Sequence, residues 1–229
     1  MLNQIIVISD GRSNVGPKPS SIAELAYNKG IRVNTIGIID SNKDRDAIEE
    51  LEDIAEKGGG LCELTTLDKL SAALSRVTIS SVYNSIEEVV REELKTISDR
   101  DIYDMNPVER NKIIDMIDKI SNEVPLKCLI LLDASGSMKN KIDVARKSVL
   151  ELLLFLQERK GENQIGLIAY PGKDGYYQML SDFTSNIDEL KGDIEKISTG
   201  GTTPTGYAME GAIKMLTRDE DYPVNEYIV

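Results

Sequence analysis

The sequence contains no histidine, no tryptophan and only two cysteines among its 229 residues. Without histidine the chain lacks an imidazole general base, a Ser-His-Asp triad and histidine-ligated zinc, so most common hydrolase mechanisms are excluded. Cys62 and Cys128 both lie among apolar neighbours in candidate strands, which favours two buried thiols over a disulfide. The length has room for one large α/β domain with an added element, or for two small domains.

Positive charge is also scarce, because 27 Lys and Arg residues stand against 39 Asp and Glu residues, a formal net charge of -12. Binding to nucleic acid or to an anionic membrane requires clustered Lys and Arg, so neither partner is expected. The N-terminal stretch MLNQIIVISDG has a short apolar run without a basic flank, which predicts neither a signal peptide nor a membrane span. We therefore expect a cytoplasmic protein, and a divalent cation or a basic partner surface suits its charge.

Short apolar runs alternate with amphipathic segments in the first third of the chain. The runs predict strands and the helical period predicts helices, as in parallel βαβ units with helices on both faces of a sheet. Ser20 or Ser21 is the expected N-cap of the first helix. The predicted strands are 4–9, 31–40 and 61–66, and the predicted helices are 20–28, 44–57 and 67–74.

The strand signal disappears between about residues 76 and 125. Two segments there have helical spacing, and the second opens with Asn106 as a cap and Pro107 at the first helical position. We expect a helical hairpin that joins two α/β halves. A spacer with one packed face is favoured over a dedicated binding site.

The second half of the chain returns to the pattern of strands and helices. A turn at 171–175 predicts a hairpin that places one antiparallel strand at the sheet edge. The predicted fold is thus α/β: a doubly wound, mostly parallel six-stranded sheet with one antiparallel edge strand, helices on both faces and a helical insertion. The predicted strands are 126–133, 164–170 and 176–183, and the predicted helices are 142–156, 186–197 and 207–216.

Oxygen-bearing side chains lie at three places where strands or loops meet the same predicted edge. Asp133, Ser135 and Ser137 end one strand, Asp10 ends another, and Thr203 lies in the loop GGTTPTG. Ligands of doubly wound sheets bind beyond the carboxyl ends of the strands, and alternate residues of an extended turn point the same way. Hard cations such as Mg²⁺ take oxygen ligands. Hydroxyl ligands are neutral, and the few carboxylates do not fully balance the charge of such a cation. An anionic ligand from outside the chain is therefore expected.

Structural roles would account for some of these side chains. Ser137 would cap the following helix, and Asp133 would accept hydrogen bonds within the turn. Thr205 is expected to cap the last helix rather than to bind metal, and Asp40 and Asp182 are expected to be turn residues. The complete set across three segments nevertheless favours a metal site.

The segments DASGSM, GGTTPT and VISDG together resemble the von Willebrand factor A domain with its metal-ion-dependent adhesion site. The resemblance covers nearly the whole chain outside the helical hairpin. It implies that Ser135, Ser137 and Thr203 bind Mg²⁺ or Mn²⁺ directly and that Asp133 and Asp10 act through water. It also implies a protein partner whose carboxylate completes the coordination sphere, and bacterial relatives often work beside AAA-type ATPases.

The order of the motifs differs from that of the family. In the family the Asp-Gly strand comes last, whereas here Asp10 precedes Asp133. The segment NEYIV at 225–229 also resembles NQIIV at 3–7. We therefore predict a circularly permuted domain or one period of a tandem array, with the two end segments competing for one slot in the sheet. The site would close within one chain or be shared in a domain-swapped assembly. The predicted parts are 1–75 as the C-terminal half, 76–125 as the linker and 126–229 as the N-terminal half.

An enzyme is the alternative to a binding module. A phosphatase of the haloacid dehalogenase type needs D-x-D, but Ser135 stands where the second Asp would lie. A receiver domain needs an acidic pair that the chain lacks, although Lys214 is present, and no P-loop motif exists. We predict a non-enzymatic, cation-dependent binding module, with metal-dependent phosphoryl transfer by Asp133 as the alternative.

Overall fold

Six strands form one sheet in a computed structural model, which describes residues 1–39, 45–98 and 101–218. In chain order they are β1 (Leu2–Ser9), β2 (Ile31–Ile38), β3 (Gly59–Thr65), β4 (Leu126–Asp133), β5 (Asn163–Tyr170) and β6 (Gln178–Thr184). Across the sheet the order is β3, β2, β1, β4, β5, β6, and only β6 is antiparallel to its neighbour. The predicted mostly parallel sheet with one antiparallel edge strand is confirmed.

The described helices surround this sheet and bury both of its faces. They are α1 (Pro19–Tyr27), α2 (Arg45–Lys57), α3 (Leu70–Ser98), α4 (Pro107–Glu123), α5 (Ile142–Leu156), α6 (Ile187–Ile194) and α7 (Thr205–Leu216). Ile6 and Ile8 of β1 belong to the core with α3, α5 and α6, whereas Ile5 and Val7 belong to the core with α1, α2 and α7. Burial on both faces explains why the four inner strands β2, β1, β4 and β5 are mostly apolar, whereas the edge strand β6 has exposed residues. No helix in the described ranges combines the length and apolar character needed to cross a membrane.

Strand β1 lies at the centre of the sheet, parallel to both β2 and β4. Ile8 is opposite Leu132, so Ser9 and Asp10 arrive at the carboxyl edge of the sheet beside Asp133, the last residue of β4. The two ends of the chain are predicted to compete for this central slot. Strand β1 occupies it, and the repeated segment 225–229 lies outside the described residues.

Helix α3 is much longer than the helix predicted over 67–74, because it continues without interruption for 29 residues. The boundary predicted at residue 76 therefore falls inside this helix. In its hydroxyl-rich middle, Thr78 and Ser85 donate to carbonyl oxygens one turn earlier, at 2.7 and 2.8 Å, so both hydroxyls are hydrogen-bonded within the helix. The first half of α3 packs on the sheet, and its second half packs against α4 to form the predicted hairpin.

Only one of the predicted helix caps is formed. Asn106 Oδ1 accepts two backbone N–H groups of the first turn of α4, at 3.0 and 3.1 Å, which confirms this cap. Ser20 and Ser21 lie inside α1, and Thr205 is the first residue of α7. Both of these caps are therefore wrong, because each helix begins earlier, next to a proline.

Predictions were also made for two acidic residues, Asp40 and Asp182, and for the two cysteines. Asp182 lies in β6 rather than in a turn, and its carboxylate accepts the Phe183 N–H at 2.8 Å, so its predicted role is wrong. Asp40 lies outside the described residues. Cys62 and Cys128 are free thiols, the first half-buried and the second buried.

Candidate metal centre

The carboxylate of Asp133 lies deepest in a cluster of oxygen atoms at the carboxyl edge of the sheet. Asp133 is fully buried at the end of β4. Its Oδ2 accepts a hydrogen bond from the Ser9 hydroxyl at 2.5 Å, and its Oδ1 accepts one from the Ser135 amide at 2.8 Å. The predicted turn hydrogen bond of Asp133 is therefore formed. Ser9 is an additional site residue that the sequence pattern did not single out.

Ser137 and Asp10 join the two ends of the chain at this cluster. Ser137 Oγ donates to Asp10 Oδ1 at 2.6 Å, across 127 positions of sequence, and it lies 3.1 Å from Ser135 Oγ. The segment Gly136–Asn140 forms a 3₁₀ helix, and neither this turn nor α5 has a side-chain cap. The structural alternative for Ser137, a helix cap, is therefore wrong.

Thr203 is held at the same edge by its backbone. Its N–H donates to Asn14 Oδ1 at 2.9 Å, and its carbonyl accepts the Asn14 N–H at 3.1 Å. The Gly200 N–H donates to the Ala134 carbonyl at 2.8 Å, which ties the same loop to the segment after β4. The three predicted segments therefore meet at one edge, with Asn14 as a supporting residue.

Comparison with known proteins assigns the family of this chain. The profile of the von Willebrand factor type A domain matches residues 128–229. The uncharacterized protein YabS of Bacillus subtilis (strain 168) is 34% identical over 214 residues, which are 92% of this chain and 87% of YabS. The chain belongs to the YabS family and contains a von Willebrand factor type A domain.

Solved structures resemble this von Willebrand factor type A protein to different degrees. A crystal structure of an uncharacterized protein from Alicyclobacillus acidocaldarius is 32% identical, with a TM-score of 0.88 over 96% of this chain and 95% of that chain. Proximal thread matrix protein 1 of the mussel byssus, solved with a zinc-occupied MIDAS motif, is 17% identical, with a TM-score of 0.34 over 98% of this chain and 48% of that chain. At that TM-score the zinc remains a property of the mussel protein alone.

Burial dominates the electrostatics of Asp133 in the von Willebrand factor A domain. It raises the pKa of the Asp133 carboxyl to about 6, whereas the hydrogen bonds from Ser9 and Ser135 act in the opposite direction. The neighbouring charge of Asp10 raises the same pKa further. Tyr170 lies opposite Asp133 on β5, and burial raises the pKa of its hydroxyl as well. Within the described part of the chain, the hydrogen-bond donors at this buried carboxylate are the neutral Ser9 hydroxyl and the neutral Ser135 amide.

A cation of the chain itself also reaches this edge. Lys141 Nζ lies 2.6 Å from Asp10 Oδ2 and forms an ion pair with it. Sequence reasoning missed this residue, because a lysine just before an amphipathic helix has the same local signature as any surface lysine. The role of Lys141 can be recognised only in the tertiary structure, because β1 places Asp10 next to the start of α5.

The donor atoms of the cluster fit a hard divalent cation. They are hydroxyl and carboxylate oxygens, and such ligands suit Mg²⁺ or Mn²⁺. Within residues 1–39, 45–98 and 101–218, no group of three or more His, Cys, Asp and Glu side chains could hold a metal ion. A cation at this edge would therefore be bound by hydroxyl oxygens together with the carboxylates of Asp133 and Asp10. Burying a carboxylate is costly unless positive charge or hydrogen bonds compensate it, so a cation close to Asp133 would lower this cost.

Proposed function

We propose that the chain is a cation-dependent binding module. In this proposal Asp133, Ser135, Ser137, Thr203 and Asp10 hold Mg²⁺ or Mn²⁺, and a protein partner binds through one of its Asp or Glu carboxylates. The 2.6 Å hydrogen bond from Ser137 Oγ to Asp10 Oδ1 carries the proposal, because it unites the two distant motifs at one point. The von Willebrand factor type A domain supports an interaction role.

The charges at the site support an acidic partner. When bound, a divalent cation supplies a Lewis acid to which a carboxylate of the partner attaches. Asp133 and Asp10 balance its charge, but Lys141 adds a positive charge beside Asp10, and the hydroxyls add no charge. Neutral hydroxyl ligands, and a lysine beside one of the two carboxylates, favour an anionic group from outside. The residues of this chain would bind the cation on the side that faces the protein and leave its other side to the partner.

Phosphoryl transfer by Asp133 is the weaker candidate. A nucleophilic carboxylate must reach its substrate, but Asp133 is fully buried and both of its oxygens accept hydrogen bonds. Ser135 stands where a second Asp would act as general acid, and a hydroxyl is a poor acid at neutral pH. These features support a module without turnover.

Calorimetric titration with Mn²⁺ tests the cation site. Wild-type protein should bind about one ion per chain, and Asp133→Asn should weaken the affinity by at least about tenfold because it removes the deepest charge. Asp143→Asn is the matched control, since the Asp143 side chain on α5 is 88% exposed, and it should bind like wild type. Wild-type protein that shows no saturable binding would overturn the proposal.

Turnover is tested separately with p-nitrophenyl phosphate and Mg²⁺. A binding module releases no product beyond the rate of the buffer, whereas an Asp133-dependent enzyme releases product continuously and loses this activity in Asp133→Asn. Sustained release by wild type that disappears in the variant would replace the binding module by the enzyme.

The setting of the module is also part of the proposal. The resemblance and the acidic composition support a cytoplasmic protein that works beside an AAA-type ATPase, without nucleic-acid or membrane partners. The motif order supports circular permutation or a tandem array as the origin of this connectivity. Light scattering combined with Mn²⁺ titration tests self-association: affinity that persists in a dilute monomer supports closure within one chain, and affinity lost on dilution supports a swapped assembly.

A further inference from the structure

Asp10 already has a cationic partner inside the chain. Lys141 Nζ lies 2.6 Å from Asp10 Oδ2, and the other carboxylate oxygen accepts the Ser137 hydroxyl at 2.6 Å. The side chains of Lys141 and Asp10 are only 14% and 1% exposed. Solvent therefore screens this pair far less than it screens the exposed ion pairs of the surface.

The backbone fixes where the Lys141 side chain begins. The Lys141 N–H donates to the Met138 carbonyl at 2.8 Å, and the Lys141 carbonyl accepts the Ala145 N–H at 3.0 Å. Lys141 therefore stands at the junction between the 3₁₀ turn that follows Ser135 and the first turn of α5. Its ammonium group approaches Asp10 from a rigid base, while Ser137 approaches from the preceding turn.

We infer that Lys141 is an internal counter-ion that competes with the divalent cation for Asp10 and so lowers the cation affinity of the site. This inference rests on the proposed function and concerns how the same site is regulated. A carboxylate that neutralises an ammonium group is less able to neutralise a second cation, and two neighbouring cations repel each other. Cation binding must therefore weaken the pair between Lys141 and Asp10.

According to this inference the site has two states, which differ in the cation that neutralises Asp10. In one state the ammonium group of Lys141 neutralises Asp10. In the other state the divalent cation draws on Asp10, and the ion pair between Asp10 and Lys141 is weakened. Lys141 thereby raises the cation concentration at which the module becomes competent to bind.

Calorimetric titration with Mn²⁺ of four proteins tests this inference: wild type, Lys141→Met, Lys141→Arg and Lys139→Met. Lys141→Met removes the competing charge but keeps the length of the side chain, so its affinity for Mn²⁺ should rise about tenfold. Lys141→Arg keeps the charge and should stay close to wild type. Lys139 is exposed in the same 3₁₀ turn, so Lys139→Met controls for the loss of one positive charge and should change the affinity less than about twofold.

The outcomes separate the inference from the proposed function. If wild type binds Mn²⁺ but Lys141→Met binds no more tightly than Lys139→Met, Lys141 is not a competitor and only the inference fails. If none of the four proteins binds Mn²⁺, the metal site itself is absent and both proposals fail.

Thermal unfolding supplies a second readout and covers the case in which Lys141→Met folds poorly. Without its ammonium partner, Asp10 is uncompensated, so Lys141→Met should unfold at a lower temperature than wild type in EDTA and gain more from Mn²⁺. Lys141→Gln, which keeps a hydrogen-bond donor but loses the charge, should show the same larger gain. Equal gains for wild type and Lys141→Gln would overturn the inference.

Discussion

The Ser9 hydroxyl donates a hydrogen bond of 2.5 Å to Asp133 Oδ2, across 124 positions of sequence. It joins the end of β1 to the end of β4, where the other oxygen of Asp133 accepts the Ser135 amide. Both of these donors are neutral, so they stabilise the charged carboxylate without adding a positive charge. Burial therefore outweighs the hydrogen bonds and raises the pKa of Asp133 to about 6.

The first prediction is that the cation-free protein loses stability as the pH rises. The pKa of Asp133 is about 6 in the folded state against an ordinary value of 3.8, so the folded state holds this proton more tightly than the unfolded state. The stabilisation is complete below the unfolded value and is lost as the pH rises through about 6. In EDTA, urea unfolding should show a free energy about 1 to 2 kcal/mol lower at pH 8 than at pH 5.

Asp133→Asn is the control for this pH dependence. The amide has no proton to lose, so the variant should lack the decrease that Asp133 contributes. Glu50 also has a pKa raised by burial, and a decrease that is identical in wild type and variant would assign the effect to Glu50 or another group.

A second prediction concerns the hydroxyl of Thr203. If this hydroxyl is a direct ligand, Thr203→Ala should weaken Mn²⁺ binding by about tenfold or more while the backbone hydrogen bonds to Asn14 remain. Thr202→Ala is the matched control, because Thr202 is the exposed neighbour in the same loop and should bind normally. Calorimetry measures both affinities. Equal affinities for the two variants would remove Thr203 from the ligand set.

A third prediction concerns the close approach of α7 to the loop that carries Asp10. A Cβ atom at Gly206 would lie 2.2 Å from the Pro17 carbonyl oxygen, so Gly206→Ala must push the two segments apart. We expect a loss of about 1 to 3 kcal/mol in the free energy of unfolding in urea. The same displacement should weaken Mn²⁺ binding, because Thr203 and Asp10 lie on the separated segments.

Gly192→Ala controls for the general effect of alanine in a helix. Gly192 lies in α6, and a Cβ atom there would meet no atom within 4 Å. This variant should gain about 0.5 to 1 kcal/mol, because alanine favours the helix more than glycine does. If Gly206→Ala were as stable as Gly192→Ala, the contact with Pro17 would have no structural importance.

Most strands and helices could be predicted because their signal is local. Helix α5 was predicted over 142–156 and is observed over the same residues, since its apolar stripe repeats with the helical period. Helix α3 was predicted too short because Thr78 and Ser85 weaken its apolar pattern, although their hydroxyls bond within the helix. The caps at Ser20 and Thr205 were wrong because α1 begins at Pro19 and α7 begins at Thr205 itself, so both hydroxyl residues lie inside their helices.

The candidate site was predictable in its residue types but not in its contacts. Asp133, Ser135 and Ser137 could be grouped from their spacing alone. Their partners Ser9 and Lys141 could not, because serine and lysine at those positions have no distinctive local pattern. Whether Ser137 caps a helix or bonds to Asp10 depends on a carboxylate that lies 127 positions away.

The sequence by itself determined the alternation of strands and helices, the absence of imidazole chemistry and the oxygen-rich character of the motifs. These properties depend on residue type and on spacings shorter than one structural element. Only the tertiary structure decided that β1 fills the slot between β2 and β4 and brings Ser9 and Asp10 to Asp133 and Ser137. The physical reason is that strand order follows from the packing of both sheet faces by helices from the whole chain, which no local pattern encodes.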